Sequence, residues 1–469
     1  MADPPKVPTN RVGRTARISG LAAGQSLRWA ATNAANRLRS EEDAQHASEQ
    51  RAIGLADQIV DQLGKMKGAA MKIGQVLSTI DFEAIPEGER ENFKAKLAQL
   101  RDDAPPQPFS RMRKLIEKEI GGKLADSFAE FDEDAFAAAS IGQVHRAVTK
   151  DGRQVAVKVQ YPGIAEAVET DLRNMNLLLP LVRRLAPGLD ARALLGELRE
   201  RIAEELDYEL EAQRHREVER HFRDHPFVLV PRVHTDLSSR RVLVTDYIDG
   251  VRFELIKALD DQERDRVGEI LFRFFFGLLN RRLLVCGDPH PGNLLLCHDG
   301  RVCFLDFGLA RHLLPEYLEG ERALARAVQA GDAQGVHDGL SQLGYLPDPA
   351  AFEPDQVLDQ LATAGEWYFV SGFRRLDPDF IRVAMEISGS PRSPHFEAMR
   401  RQTIPPEALL LRRMEGLLFS VLGELRAGGD WGELAREYFA QQPPSTPLGE
   451  AEAAWLGRGA GTTVGALVP

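Results

Sequence analysis

The stretch Gly287-Asp288-Pro289-His290-Pro291-Gly292-Asn293, followed by Phe304-Leu305-Asp306-Phe307-Gly308, constrains this chain more than any other part of it. Asp288 and Asn293 stand in D-x-x-x-x-N spacing. The residues between the two pieces read as short strands, about 293–298 and 301–306, turned at Asp299-Gly300. Any fold that keeps both pieces must bring Asp306 back beside the loop after one hairpin. Two carboxylates and a carboxamide are then gathered together. One carboxylate orients or deprotonates an attacking hydroxyl, while Asn293 and Asp306 offer hard oxygens to a Mg²⁺ that bridges phosphates. A D-F-G triplet is common by itself. One that follows a D-x-x-x-x-N loop by a single hairpin points to phosphoryl transfer from a nucleotide. His290, set between two prolines, is expected to shape the loop rather than to act as an acid or base.

A second constellation lies upstream. Val155-Ala156-Val157-Lys158 forms the second arm of a hairpin turned at Asp151-Gly152, and strand alternation sends Ala156 and Lys158 to one face. From there a lysine reaches nucleotide phosphates. Before it runs Ala137-Ala138-Ala139-Ser140-Ile141-Gly142-Gln143-Val144. Laid on the kinase pattern G-x-G-x-x-G-x-V, the glycine positions fall on Ala137, Ala139 and Gly142. The two alanine Cβ atoms should stiffen this loop and alter its hold on phosphate. Taken singly, an exposed strand lysine or an Ala-rich helix start explains each piece. The acidic run Glu204-Glu205-Leu206-Asp207-Tyr208-Glu209-Leu210-Glu211 falls in a charged stretch, about 190–222, expected to be one long helix. Most of its carboxylates should face solvent. Asp207 and Glu211, four apart, share a face on such a helix, and Glu205 points elsewhere.

The order of elements predicts an α+β, helix-rich fold with two kinase-like lobes and a helical extension in front. Residues 1–50 read as a basic, partly disordered arm. Residues 51–130 read as the extension, with Leu55, Ile59, Leu63, Met66, Ala70, Ile73 and Leu77 at helical spacing. Residues 131–250 make a β-rich N-lobe with strands near 227–233 and 241–248, the latter including the hinge Thr245-Asp246-Tyr247-Ile248. Residues 251–440 make a helical C-lobe. Residues 441–469, with Pro443, Pro444 and Pro447, are expected to be a flexible tail.

These motifs together resemble the UbiB (aarF-domain) family of atypical kinases. The resemblance runs from about residue 60 to about 320. It rests on Lys72-Ile73-Gly74-Gln75, on the Ala-rich loop through Gly142-Gln143-Val144-His145, on Glu205-Leu206-Asp207, and on Asp288-Pro289-His290-Pro291-Gly292-Asn293. It implies that ATP (or ADP) and Mg²⁺ are the cofactors. It also implies that Lys158 meets the phosphates and pairs with Glu211, that Asp288 is the catalytic-loop residue, and that Asn293 and Asp306 bind the metal. Ala137, Ala138, Ala139, Ser140, Gly142 and Val144 would line the nucleotide. Lys72 and Gln75 would fold over the site near Glu205 and Asp207 in a regulatory role, where a protein kinase takes its peptide. The family's association is with isoprenoid-quinone (ubiquinone) biosynthesis and lipid homeostasis. A lipid or quinone precursor is therefore the implied further ligand, with peripheral membrane contact. The absence of an A-P-E-like segment after Gly308 fits a non-peptide acceptor. Two alternatives stand beside this one. Gly-Asp-x-His-Pro-Gly-Asn also occurs in aminoglycoside- and choline-type phosphotransferases, and a non-catalytic nucleotide-binding scaffold would keep the same residues.

Composition narrows the partners. A net charge of −11 over 469 residues disfavours a nucleic-acid binder. Cys286, Cys297 and Cys303 lack metal-ligand spacing and read as reduced, buried strand residues of a cytoplasmic-type compartment. Eighteen consecutive apolar residues occur nowhere, so membrane contact would be peripheral, at an inner face. Residues 1–40 hold Lys6, Arg11, Arg14, Arg17, Arg28, Arg37 and Arg39 against Asp3 alone. Such a segment suits a solvated arm or an anionic surface, and its composition is also that of an organelle transit peptide.

Overall fold

The computed structural model describes residues 41–63, 107–139, 141–185, 202–389 and 393–459, with a few isolated positions between them. Lys72, Gln75, Ser140 and the basic arm up to residue 40 lie outside the described residues. The chain divides into two compact units. One holds Met1–Ala212 and Val233–Tyr247, and the other holds Gln213–Arg232 and Ile248–Pro469.

In the first unit, α1 (Glu41–Leu63) buries Leu55, Ile59 and Leu63, as their spacing predicts. It starts at Glu41, inside the stretch expected to be a loose arm. Helix α2 (Phe109–Ile120) stops at Gly121, whose φ of 73° supplies the left-handed cap. The strands are β1 (Phe128–Phe131), β2 (Ala137–Ala139), β3 (Gly142–Thr149) and β4 (Gln154–Gln160); β5 (Val228–Leu229) goes to the second unit, and β6 (Val242–Asp246) returns to the first. The sheet runs antiparallel in the order β1-β3-β4-β6, with β2 also on β3. Val155, Val157 and Val159 are β-branched, alternate along β4 and are fully buried. They pack with Met112, Leu115 and Ile116 of α2 and with Val242 and Val244. Gly152, at φ 83°, makes the hairpin turn where Asp151-Gly152 predicts it.

Helix α3 (Ile164–Leu185) follows β4, and α4 (Tyr208–His221) comes later. The single long helix expected over 190–222 is interrupted at Leu206-Asp207. Asp207 accepts hydrogen bonds from the N–H groups of Glu209 (3.1 Å) and Leu210 (3.2 Å), so it caps α4 instead of lying on its face. The break is tied to the sheet. Gln160 Nε2, at the end of β4, donates to the Leu206 carbonyl at 3.0 Å, and the Tyr208 N–H donates to the Arg240 carbonyl at 3.0 Å.

The second unit is built on α5 (Asp261–Arg282). Asp260 caps it by accepting from the Glu263 N–H. Phe272 stacks on Phe276, and Phe274 lies flat on Phe304 with centroids 3.5 Å apart. Around it stand β7 (Gly250–Arg252), β8 (Leu284–Cys286), β9 (Leu294–Cys297), β10 (Val302–Phe304) and β11 (Ala310–His312). One sheet has the order β5-β10-β9-β7, and β8 pairs with β11. Gly300, at φ 84°, turns the predicted β9–β10 hairpin. The three cysteines are buried on β8, β9 and β10, as expected, and burial pushes the Cys286 thiol up to about 12. Gln213–Arg232 belongs to this unit, although the sequence placed it in the N-lobe. There the expected strand 227–233 shrinks to β5, which runs parallel to β10.

Further helices of this unit include α6 (Pro315–Ala330), α7 (Pro406–Leu425), α8 (Trp431–Phe439) and α9 (Pro447–Gly459). The last of these overturns the expected flexible tail. Glu452 of α9 is buried, with its oxygens 2.5 Å and 3.0 Å from the Arg281 guanidinium. Arg273, itself fully buried, bridges Glu269, Glu437 of α8, Glu452 and Thr446. Burial acts to raise the Glu452 carboxyl, but His225 and Arg281 as donors, and the charges of Arg281 and Arg273, hold it at about 2. His225 Nε2 stands 3.7 Å away, so the arginines carry most of that effect.

Two histidines flank this docked helix in neutral form. Burial, with the charges of Arg282 and Arg281, lowers His221 to about 3, and burial lowers His225 as well. Both lie below the ordinary 6.5, so the unfolded chain takes up protons that the folded chain refuses. The contribution of His221 is full above about pH 6.5 and is lost as the pH falls toward 3, and that of His225 is likewise lost as the pH falls below 6.5. Stability against thermal unfolding should therefore fall from pH 7 to 5, by up to about 1.4 kcal/mol per pH unit for each histidine. His221→Gln keeps an acceptor for Arg282 and should flatten the slope. Identical slopes in parent and variant would contradict this.

Candidate active site

In the first unit, Lys158 and Ala156 project to the face of β4 opposite the buried valines, as alternation requires. Val144 stands opposite Lys158 in the β3–β4 register and shares that face. Lys158 Nζ lies 2.6 Å from Glu211 Oε1 and 5.0 Å from the centre of the Tyr208 ring. Glu211 is buried and Lys158 half-buried. Glu211 sits one turn into α4, whose start is fixed by Gln160 and the Asp207 cap. The end of β4 therefore sets where this carboxylate points. Asp207 also lies 3.6 Å from Arg240. Glu205 ends the short helical turn before the break, and Lys72 and Gln75 fall outside the described residues.

The Ala-rich segment is neither a helix start nor an open loop. Ala137, Ala138 and Ala139 form β2, paired with Val144, Gln143 and Gly142 in turn. Ile141 is buried at the tip beside Tyr208, Ala212 and Leu243. A Cβ on Gly142 would stand 2.1 Å from the Val159 carbonyl oxygen. The close approach that requires glycine here is thus made by the protein's own β4 backbone. His145 and Gln143 are buried partners: Gln143 Nε2 meets His145 Nε2 at 2.9 Å, and Gln143 Oε1 accepts the Gln107 N–H.

In the second unit, two strand pairings frame the acidic groups. The Gly287 N–H donates to the Leu309 carbonyl at 2.8 Å as β8 meets β11, and the Leu305 N–H donates to the Asn293 carbonyl at 3.0 Å as β9 meets β10. The flanks of Asp288, Asn293 and Asp306 are thereby brought together. His290 Nδ1 accepts from the Gly292 N–H at 3.0 Å, which gives it the expected loop-shaping role. Asp306 Oδ1 accepts from the Gly308 N–H at 2.8 Å. Asp288 Oδ1 accepts from Arg413 Nη2 at 2.8 Å, and Arg413 Nε donates to the Gly287 carbonyl at 3.0 Å. Arg413 of α7 holds the loop and its carboxylate together, 125 positions away in the chain, and no local pattern points to it. The same helix covers Gly287, where a Cβ would meet Leu410 at 2.0 Å. Among the described residues no cluster of three or more His, Cys, Asp or Glu offers a metal site. An amide oxygen from Asn293 and a carboxylate from Asp306 suit Mg²⁺, which keeps several waters and takes its remaining ligands from phosphate.

The profile of the ABC1 atypical kinase-like domain matches residues 99–338, half of the chain. The chain belongs to the ABC1, or aarF, atypical kinase-like family. This is the family to which its motifs pointed. The rat atypical kinase COQ8B, mitochondrial, is 32% identical over 372 residues, covering 78% of this chain and 69% of the relative. The yeast (Saccharomyces cerevisiae) atypical kinase COQ8, mitochondrial, is 28% identical over 445 residues, covering 92% and 86%. A Mycobacterium tuberculosis protein, Rv3197, solved in complex with erythromycin, superposes with a TM-score of 0.62 at 30% identity, over 85% of this chain and 98% of its own. The kinase-like α+β fold is thereby established.

Within this ABC1 chain, residues 309–314 alone separate Gly308 from α6, which leaves little room for a peptide-docking segment. Among the described residues no helix is long and apolar enough to cross a membrane. Two glycines, one in each unit, make separable demands. Gly142→Ala meets fixed backbone, and Gly287→Ala meets a leucine side chain. Each should destabilise the protein in urea by about 1–3 kcal/mol or more. Adding Leu410→Ala should recover stability for Gly287→Ala alone. Parental stability of Gly142→Ala would contradict the close β3–β4 approach.

Proposed function

We propose that this chain binds ATP (or ADP) with Mg²⁺ and acts as a slow ATPase or small-molecule or lipid kinase, in support of isoprenoid-quinone (ubiquinone) biosynthesis or lipid homeostasis. The observation that carries the proposal is the 2.6 Å Lys158–Glu211 pair, formed between residues 53 apart and implied by the motifs beforehand. Lys158 brings a positive charge to the phosphates, and Glu211 fixes the position of its ammonium. Asn293 and Asp306 hold Mg²⁺, which when bound neutralises phosphate charge. Asp288, oriented by Arg413, accepts a hydrogen bond from the attacking hydroxyl or water. The β2–β3 hairpin covers the phosphates, with the alanines of β2 where other kinases have glycine. Lys72 and Gln75, with Glu205 and Asp207, regulate access of the acceptor, on the strength of their motifs. A lipid or quinone precursor is the proposed acceptor or ligand. Contact with a membrane is peripheral, and two of the relatives are named mitochondrial.

A second reading has its own support. The M. tuberculosis neighbour was solved with erythromycin, a hydroxylated small molecule. An acceptor of that chemistry would make this chain a small-molecule phosphotransferase of the aminoglycoside or choline type. Incubation with labelled ATP and a panel of hydroxylated metabolites, macrolides and aminoglycosides separates the two by which compound becomes labelled. A nucleotide-binding scaffold would bind ATP and label nothing.

Phosphate release from ATP in the presence of Mg²⁺ tests the shared core of these readings. Asp306→Asn should lower metal-dependent turnover by about 10²- to 10³-fold while the fold is retained. Turnover equal to that of the parent would remove Asp306 from the metal site.

A further inference from the structure

The turn Asp306-Phe307-Gly308 ends in a glycine that, left alone, would swivel easily. Helix α4 prevents this at successive points, all within the second unit. Arg214 Nη1 donates to the Gly308 carbonyl at 2.6 Å. The His215 ring meets the Phe307 ring edge-on, with centroids 4.7 Å apart. His215 is fully buried and its Nε2–H donates to the Pro231 carbonyl at 2.8 Å, so the ring is itself anchored. Glu217 Oε1 lies 3.0 Å from His312 Nε2 on β11. Gly308 is thus held from both sides. Its N–H is taken by Asp306 Oδ1 at 2.8 Å, and its carbonyl by Arg214. That N–H is one of the contacts that orient the Asp306 carboxylate, and it keeps its place while the glycine does not turn.

We propose that Arg214 is a positioning residue for the metal site: through Gly308 it holds the Asp306 carboxylate in the orientation that receives Mg²⁺. This rests on Asp306 being a metal ligand. Groups that orient a ligand without touching the metal govern affinity for it, because a freely rotating carboxylate must be ordered when the ion arrives. A charged donor to a carbonyl is also stronger than a neutral one, which suits arginine to the task. Nothing in the local sequence announces the role, since Arg214 lies 94 positions before its partner in a run of charged residues.

The test is ATP hydrolysis by the full chain as a function of Mg²⁺ or Mn²⁺ concentration, with thermal unfolding recorded for each variant. Arg214→Met keeps the stem and removes the donors. It should raise the half-saturating metal concentration by about 10-fold or more, with a larger effect there than on kcat at saturating metal. Arg214→Lys restores one charged donor and should fall between parent and Arg214→Met. Asp306→Asn serves as the reference and should show no metal response. If Asp306→Asn loses its metal response while Arg214→Met responds as the parent does, the positioning role is wrong and the Asp306 assignment stands. If Asp306→Asn responds as the parent does, the metal-ligand assignment itself fails. Should Arg214→Met not fold, Arg214→Lys decides: a raised requirement supports the role, and an unchanged one overturns it.

Discussion

The acidic half of this protein depends on one strand pairing. Strand β8 ends at Cys286 and β11 begins at Ala310, and these two residues face each other in antiparallel register. The Gly287 N–H closes the pairing on the Leu309 carbonyl. Asp288 and Asp306 therefore leave from the two sides of one clasp, and the β9–β10 hairpin between them returns Asn293 beside Leu305. Without the clasp, three polar side chains would sit on separate loops and each would have to be ordered whenever ligand arrived. The clasp has a steric condition. Gly287 carries no side chain because Leu410 of α7 fills the space, and the same helix sends Arg413 to Asp288. Packing and orientation are supplied by one element.

The basic half follows a parallel logic with different parts. Strand β4 buries one face against α2 and leaves Lys158 on the other. Its last residue, Gln160, holds the break at Leu206 from which α4 starts. One strand thus places the lysine and, through a side-chain amide, sets the origin of the helix that carries Glu211. A buried ion pair contributes little net stability, because desolvation offsets attraction. Lys158–Glu211 is better understood as fixing the direction of an ammonium than as holding the fold together.

What could be known beforehand divides along physical lines. The strand, loop and hairpin positions of Lys158, Asp288, Asn293 and Asp306 were legible because each sits in a short motif whose spacing is set by a hairpin or a tight loop. The valines of β4 were legible from alternation alone. Asp207 was misplaced because a run rich in Glu and Leu looks continuously helical. The interruption depends on Gln160 and Arg240, which are remote in sequence. Gly142 was singled out for phosphate approach, and the approach of the Val159 carbonyl, which also requires glycine there, left no local signal. The tail was misjudged on its prolines and glycines. Helix α9 is held by Glu452 reaching Arg281 and Arg273, which lie 171 and 179 positions earlier. Arg413 and Arg214 were invisible for the same reason: an arginine that grips a distant carbonyl leaves no local trace.

The central proposal is that Asn293 and Asp306 hold a divalent metal that arrives with a nucleotide. Electron paramagnetic resonance of Mn²⁺ titrated into the protein measures this directly, since bound ion loses the free-ion signal. With ADP present, the parent should take up stoichiometric Mn²⁺. Without nucleotide it should take up far less, and with Asn293→Ala and Asp306→Ala combined the nucleotide-dependent uptake should vanish. Equal uptake with and without nucleotide, or uptake undiminished in the double variant, would contradict the account.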